Sequence, residues 1–113
     1  MIKVIKSIPV YFFREPSGKE PVREWLYTLS KEDRKIIGED IRTIQIEWPI
    51  GLPLVGPLGN KLWEIRSTLN NRIVRIIFMF DNGTIILLHS FIKKSQKTPP
   101  NELNLALKRA RKL

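Results

Sequence analysis

The chain has no cysteine and one histidine, His89. The first absence excludes disulfides, thiolate catalysis and cysteine-ligated zinc, and the second leaves no His-rich metal site. No stretch approaches the roughly 18 to 20 uncharged apolar residues that a membrane span needs. The opening segment Met1-Ile2-Lys3-Val4-Ile5-Lys6 lacks the apolar core and small-residue cleavage site of a secretory signal, so it reads as mature structure and the expected compartment is cytoplasmic. What is present is the composition of a folded protein: 113 residues, 42% hydrophobic, 27% charged, three tryptophans. That length suits one domain, expected to span residues 1–113, with a core held by packing alone.

Acidic residues are scarce in one half only. Residues 1–56 carry nine Lys/Arg against eight Asp/Glu, whereas residues 57–113 carry eleven against three, so nearly all of the formal +9 lies in the second half. Clustered positive charge of this kind suits a surface that meets phosphates; the alternative is a solvated basic face kept for solubility.

Residues 8–13 are β-branched and aromatic with Pro9 near the start, which suits an edge or first strand. Pro21 then opens a helix whose apolar stripe is Val22, Trp25, Leu26 and Leu29. Ser30 ends it and can cap a second helix over 31–47, with Ile37, Ile41, Ile44 and Trp48 on one face and Gly38 weakening it slightly. Residues 49–60, punctuated by prolines and glycines, predict a rigid connector without regular structure. Three strands are expected over 61–67, 72–80 and 84–92, joined at Asn70-Asn71 and Asp81-Asn82-Gly83. Thr98 and Pro99-Pro100 precede a short helix carrying Leu103, Ala106, Leu107 and Ala110. The expected fold class is α+β: a small antiparallel sheet in β-α-α-β-β-β-α order, an N-terminal helical hairpin packed on one face, and a short C-terminal helix.

Strand alternation assigns candidate residues to faces. Leu62, Glu64 and Arg66 share one face of their strand, and Arg75 shares a face with Ile73, Ile77 and Met79, opposite Arg72. Ile85, Leu87, His89, Phe91 and Lys93 are expected on one face of the third strand, with Lys94 and Lys97 continuing the charge. A single arginine here would snorkel over the sheet or pair with Glu64 or Asp81; two arginines and two lysines suggest phosphate binding. RNA supplies its own nucleophile, the 2′-OH, so such a site needs no metal or cofactor. His89 is a possible general base, against a structural role at the end of a buried strand. Phe91, and less readily Trp63, can stack a base, and Glu64 either accepts a proton or, more simply, orients Arg66.

These residues also carry a resemblance. Leu62-Trp63-Glu64-Ile65-Arg66, then Arg72-Ile73-Val74-Arg75-Ile76-Ile77-Phe78, then the run from Leu87 to Pro99 with its Phe91-Ile92-Lys93-Lys94 end, and Ala106 and Arg109 beyond, resemble the HigB-like, phage-derived branch of the RelE/ParE toxin superfamily. The likeness extends to Gly18-Lys19-Glu20-Pro21-Val22 and the Pro/Gly connector. It implies the toxin of a type II toxin-antitoxin pair: an endoribonuclease that cleaves messenger RNA on the ribosome. Its implied partner is a cognate helix-turn-helix antitoxin, through which alone it would reach operator DNA. Arg66, Arg75 and Lys93 fall on positions often basic in the family's cleft and take the catalytic role; Lys61, Arg72, Phe91 and Lys94 follow as RNA-binding candidates. The chain lacks the aspartate-tyrosine-histidine site of some relatives, which favours the arginine-lysine version over His89. Two alternatives remain: a ParE-like toxin that poisons DNA gyrase, and a basic RNA-binding regulator without catalysis.

Overall fold

The second helix shows how closely local sequence sets local structure. In the computed structural model, which describes residues 7–113, Ser30 caps a helix over Lys31–Glu47 by accepting the Asp33 amide at 3.1 Å. Glu32 and Asp33 in its first turn complement the helix dipole, and Pro49 disfavours continuation at Trp48. The reading of Met1–Lys6 as mature structure lies outside the described residues. The elements in chain order are β1 (Val10–Phe12), α1 (Pro21–Leu26), α2 (Lys31–Glu47), β2 (Val55–Gly59), β3 (Leu62–Thr68), β4 (Ile73–Asp81), β5 (Thr84–Ile92) and α3 (Pro100–Ala110). The strands form one sheet in the order β1-β5-β4-β3-β2, with β1 parallel to β5 and every other pair antiparallel. The fold is α+β, and among the described residues no helix is long and apolar enough to cross a membrane.

The sheet has an apolar layer on each side. On one, Val22 of α1 and Ile37 and Ile44 of α2 pack with Ile65, Val74, Ile76, Phe78, Ile85 and Leu87. Trp48 closes that layer edge-on to Trp63, ring centroids 5.1 Å apart. On the other, Ala106 of α3 packs with Phe13, Leu62, Ile77 and Leu88. The β4–β5 hairpin turns on Asn82 and Gly83, φ +52° and +75°, the two consecutive left-handed residues that a tight two-residue hairpin demands.

Two expectations are corrected. The connector over 49–60 is not wholly irregular, because β2 forms over Val55–Gly59 and adds a fifth strand. It is an edge strand, needing partners on one side only, so Pro57 is tolerated; the register shifts between Pro57 and Gly59 as the chain turns into β3. The second correction concerns β5, where Ile77 pairs with His89 but Phe78 pairs with Leu87. Leu88 is an extra residue that reverses the alternation. Ile85 and Leu87 therefore face the α1–α2 layer, whereas His89 and Phe91 lie on the face of Ile77 and Arg75.

Candidate functional site

Cross-strand register makes the site. Arg66 of β3 stands directly opposite Arg75 of β4, and Glu64 opposite Ile77, so both arginines and the carboxylate share the α3 side of the sheet. Two like charges at paired positions repel. Glu64, fully buried, answers both: its Oε2 accepts from Arg66 Nε at 3.2 Å and its Oε1 lies 3.7 Å from Arg75 Nη1. The Thr98 hydroxyl also donates to Oε1, at 2.6 Å. Arg75 is only 3% exposed; its Nη2 donates to the Gln96 carbonyl at 3.0 Å, and its Nε has no partner among the described residues. The Lys93–Thr98 segment thus covers Arg75, while the Arg66 side chain remains 36% exposed.

An open cleft of about 500 Å³ lies where β3 runs beyond the start of β2, and Arg66, Arg75 and Lys93 all line it, with Gln96 from the covering segment and Asp40 from α2. β4 positions Lys93 through the bond from its amide to the Ile73 carbonyl, 2.8 Å. Glu64 offsets one of the three cationic charges, and the Ser67 hydroxyl donates to Asp40 at the α2 side. Arg66 uses only Nε for side-chain hydrogen bonding among the described residues, so its terminal nitrogens are available to a ligand. Chemically, this is a half-exposed guanidinium and an ammonium converging above a buried second guanidinium, a set suited to a phosphodiester.

The other candidates lie elsewhere. Lys61, in a left-handed turn at φ +64°, pairs with Asp81 at 3.3 Å, five strand positions or about 16 Å from Arg66. Arg72 lines a shallow hollow that shares Lys93 with the cleft, and its guanidinium is bonded to Asp33 and, at 2.9 Å, to Asn71. Phe91, although opposite Arg75 in register, lines a second hollow with Lys94, His89 and Trp25. Its ring stacks on the imidazole with centroids 5.6 Å apart. Lys93 and Lys94 thus point the charged end of β5 into two different depressions.

His89 belongs to the α3 interface. Its Nε2 meets Glu102 Oε2 at 3.1 Å, and Arg109 Nη1 approaches Nδ1 at 3.4 Å while donating to the Leu88 carbonyl at 2.7 Å. An arginine has only donors, so Nδ1 must accept and the neutral ring carries its proton on Nε2. Burial holds the imidazole below its ordinary 6.5, outweighing the upward pull of Glu102. A depressed folded pKa means that stability is fully present above pH ~6.5 and is lost as pH falls from there toward the folded value, where it levels off. Urea midpoints measured across that interval are expected to fall with pH in the wild type, and His89→Gln is expected to remove this part of the slope.

Glu64 orients Arg66, as its position on the strand suggested, and also pairs with Arg75, one of the pairings the sequence left open; its contact with Thr98 was not foreseen. A carboxylate between Trp63 and Ile65 was the available signal for its burial. Nothing in the sequence marks Thr98 or Gln96 as partners.

Residues 24–111 match the model of the family described as phage derived protein Gp49-like (DUF891), more than three quarters of the chain. The match takes in Glu64, Arg66, Arg75, Lys93 and Thr98 together. No curated protein matches the chain.

Proposed function

The chain belongs to the phage-derived Gp49-like family of HigB/RelE-like toxins, and from that membership we propose that it is the toxin of a type II pair acting as a ribosome-dependent messenger-RNA endoribonuclease. The observation that carries the reading is the convergence of Arg66 and Lys93 in one open cleft over the buried Arg75. The 2′-hydroxyl of the bound RNA loses its proton to solvent and its oxygen attacks the adjacent phosphorus, while the 5′-oxygen leaves and takes up a proton from solvent, giving a 2′,3′-cyclic phosphate and a 5′-hydroxyl. Arg66 grips the non-bridging oxygens as negative charge grows, Lys93 faces the same phosphate, and Arg75 adds charge from the floor. The RNA's own hydroxyl is the nucleophile, so the scheme draws on no metal or cofactor. Phe91, Lys94 and Arg72 flank the cleft as contacts for neighbouring nucleotides, and Lys61 is a more distant electrostatic contact. The family supports a cognate antitoxin, which we take to be a helix-turn-helix protein and the sole link to operator DNA.

Primer extension on a ribosome-bound message tests the reading: defined cleavage positions are expected with the purified chain. Intact message, together with DNA breaks in expressing cells, would move the assignment to gyrase poisoning. RNA affinity is expected to weaken steeply with salt. Lys94→Ala should reduce the log–log slope by about 0.7 if it contacts one phosphate of a single strand, measured by fluorescence anisotropy over a salt series.

A further inference from the structure

β2 shapes the cleft by withholding a side chain. Gly56 stands opposite Glu64 in the β2–β3 register and is buried. A Cβ at that position would lie 2.7 Å from Arg66 Nη2, 3.0 Å from Cζ and 3.4 Å from Nε. The Arg66 guanidinium therefore lies against the backbone of β2 in the volume a side chain would occupy. The remaining glycines, Gly18, Gly38, Gly51, Gly59 and Gly83, have no such neighbour within 4 Å among the described residues. Nor does the backbone at Gly56 ask for glycine, since its φ lies outside the left-handed region that holds Gly18, Gly59 and Gly83.

We infer that Gly56 is a positioning residue for Arg66: with Glu64 it forms a seat that fixes the plane of the guanidinium and presents its terminal nitrogens to the cleft. The inference rests on the proposed phosphate role of Arg66 and explains how a half-exposed, flexible side chain is held ready. The Glu64 carboxylate fixes the Nε edge at 3.2 Å, and the bare strand at Gly56 supports the flat face. Neither constraint suffices alone: a single hydrogen bond allows the plane to rotate, and a bare backbone offers no directional hold. The obstructing atoms are the far end of a long side chain, so an added methyl displaces Arg66 rather than the sheet. Displacement of a positioned group by ~1 Å can cost about 10²-fold in rate.

The test is Gly56→Ala in the full chain, alone and combined with Arg66→Ala. Gly56→Ala is expected to lower single-turnover cleavage of ribosome-bound message by about 10²-fold, to shift the Arg66 Nε–Hε NMR resonance, and to leave thermal unfolding near that of the wild type. In the Arg66→Ala background, Gly56→Ala is expected to cause no further loss, because nothing remains for the methyl to displace. An equal further loss in that background, or an unmoved Arg66 resonance in the single variant, overturns the inference. Should Gly56→Ala fail to fold, the double variant decides: recovery of folding supports a clash with Arg66, and continued failure overturns it. A wild-type chain that cleaves no RNA would remove the endoribonuclease reading, while the NMR comparison would still test the seat.

Discussion

Glu64→Ala is expected to destabilise the fold by about 3–5 kcal/mol, the range for removing one member of a buried ion pair. The carboxylate is fully buried and receives Arg66 Nε, the Thr98 hydroxyl and the charge of Arg75. Without it, the Arg75 guanidinium stays buried with Gln96 and Thr98 as neutral partners and an Nε that has none among the described residues. Arg66 and Arg75 would also face each other across β3 and β4 with no charge between them. The loss comes mainly from what remains behind, so removing both members differs in kind: Glu64→Leu with Arg75→Met is expected near wild-type stability. Glu64→Gln, which keeps an acceptor for Thr98 but no charge, should fall between. Urea unfolding at constant m-value reads all three. Against a total of about 5–15 kcal/mol for a domain, the single loss is severe, and a change under about 1 kcal/mol would show that water reaches the Arg75 guanidinium after truncation.

The arginine pair was legible in the sequence because β3 and β4 run through the site in unbroken register, so alternation counted from Leu62 and from Ile73 gave the correct faces. The same counting failed on β5. The extra residue, Leu88, is as apolar as Leu87, and both are fully buried, on opposite sides. Composition cannot reveal a bulge whose side chain suits either face. β2 was hidden for another reason, since Pro57 and two glycines look like breakers until an edge strand has only one neighbour to satisfy. The contact between Thr98 and Glu64 spans 34 residues and depends on how the segment after β5 folds back, which no local pattern encodes. His89 shows the consequence of a face assignment: simple alternation put it on one face with Ile85 and Leu87, but beyond the bulge it lies on the opposite face and meets Glu102 and Arg109 of α3.

Arg66→Ala is expected to lower RNA cleavage by about 10²–10³-fold, the loss typical of removing one donor that stabilises transition-state charge, with little change in stability. The two effects separate because the side chain is 36% exposed and Glu64 keeps Thr98 and Arg75 when it is gone; partly exposed pairs of this kind contribute about 0–1 kcal/mol. Arg75→Ala should lose activity and folding together, since it leaves the Glu64 carboxylate buried without its buried cation. Comparing the two variants therefore distinguishes a group that acts on the ligand from one that holds the floor beneath it. Arg66→Lys sharpens the comparison: an ammonium restores charge but neither the planar face seated on β2 nor the fork that grips two oxygens, so only partial recovery is expected. Single-turnover rates on ribosome-bound message, paired with unfolding midpoints for the same preparations, provide both readouts. Wild-type cleavage by Arg66→Ala would remove this residue from the phosphate site and leave the half-buried Lys93 and the buried Arg75 as the cations lining the cleft.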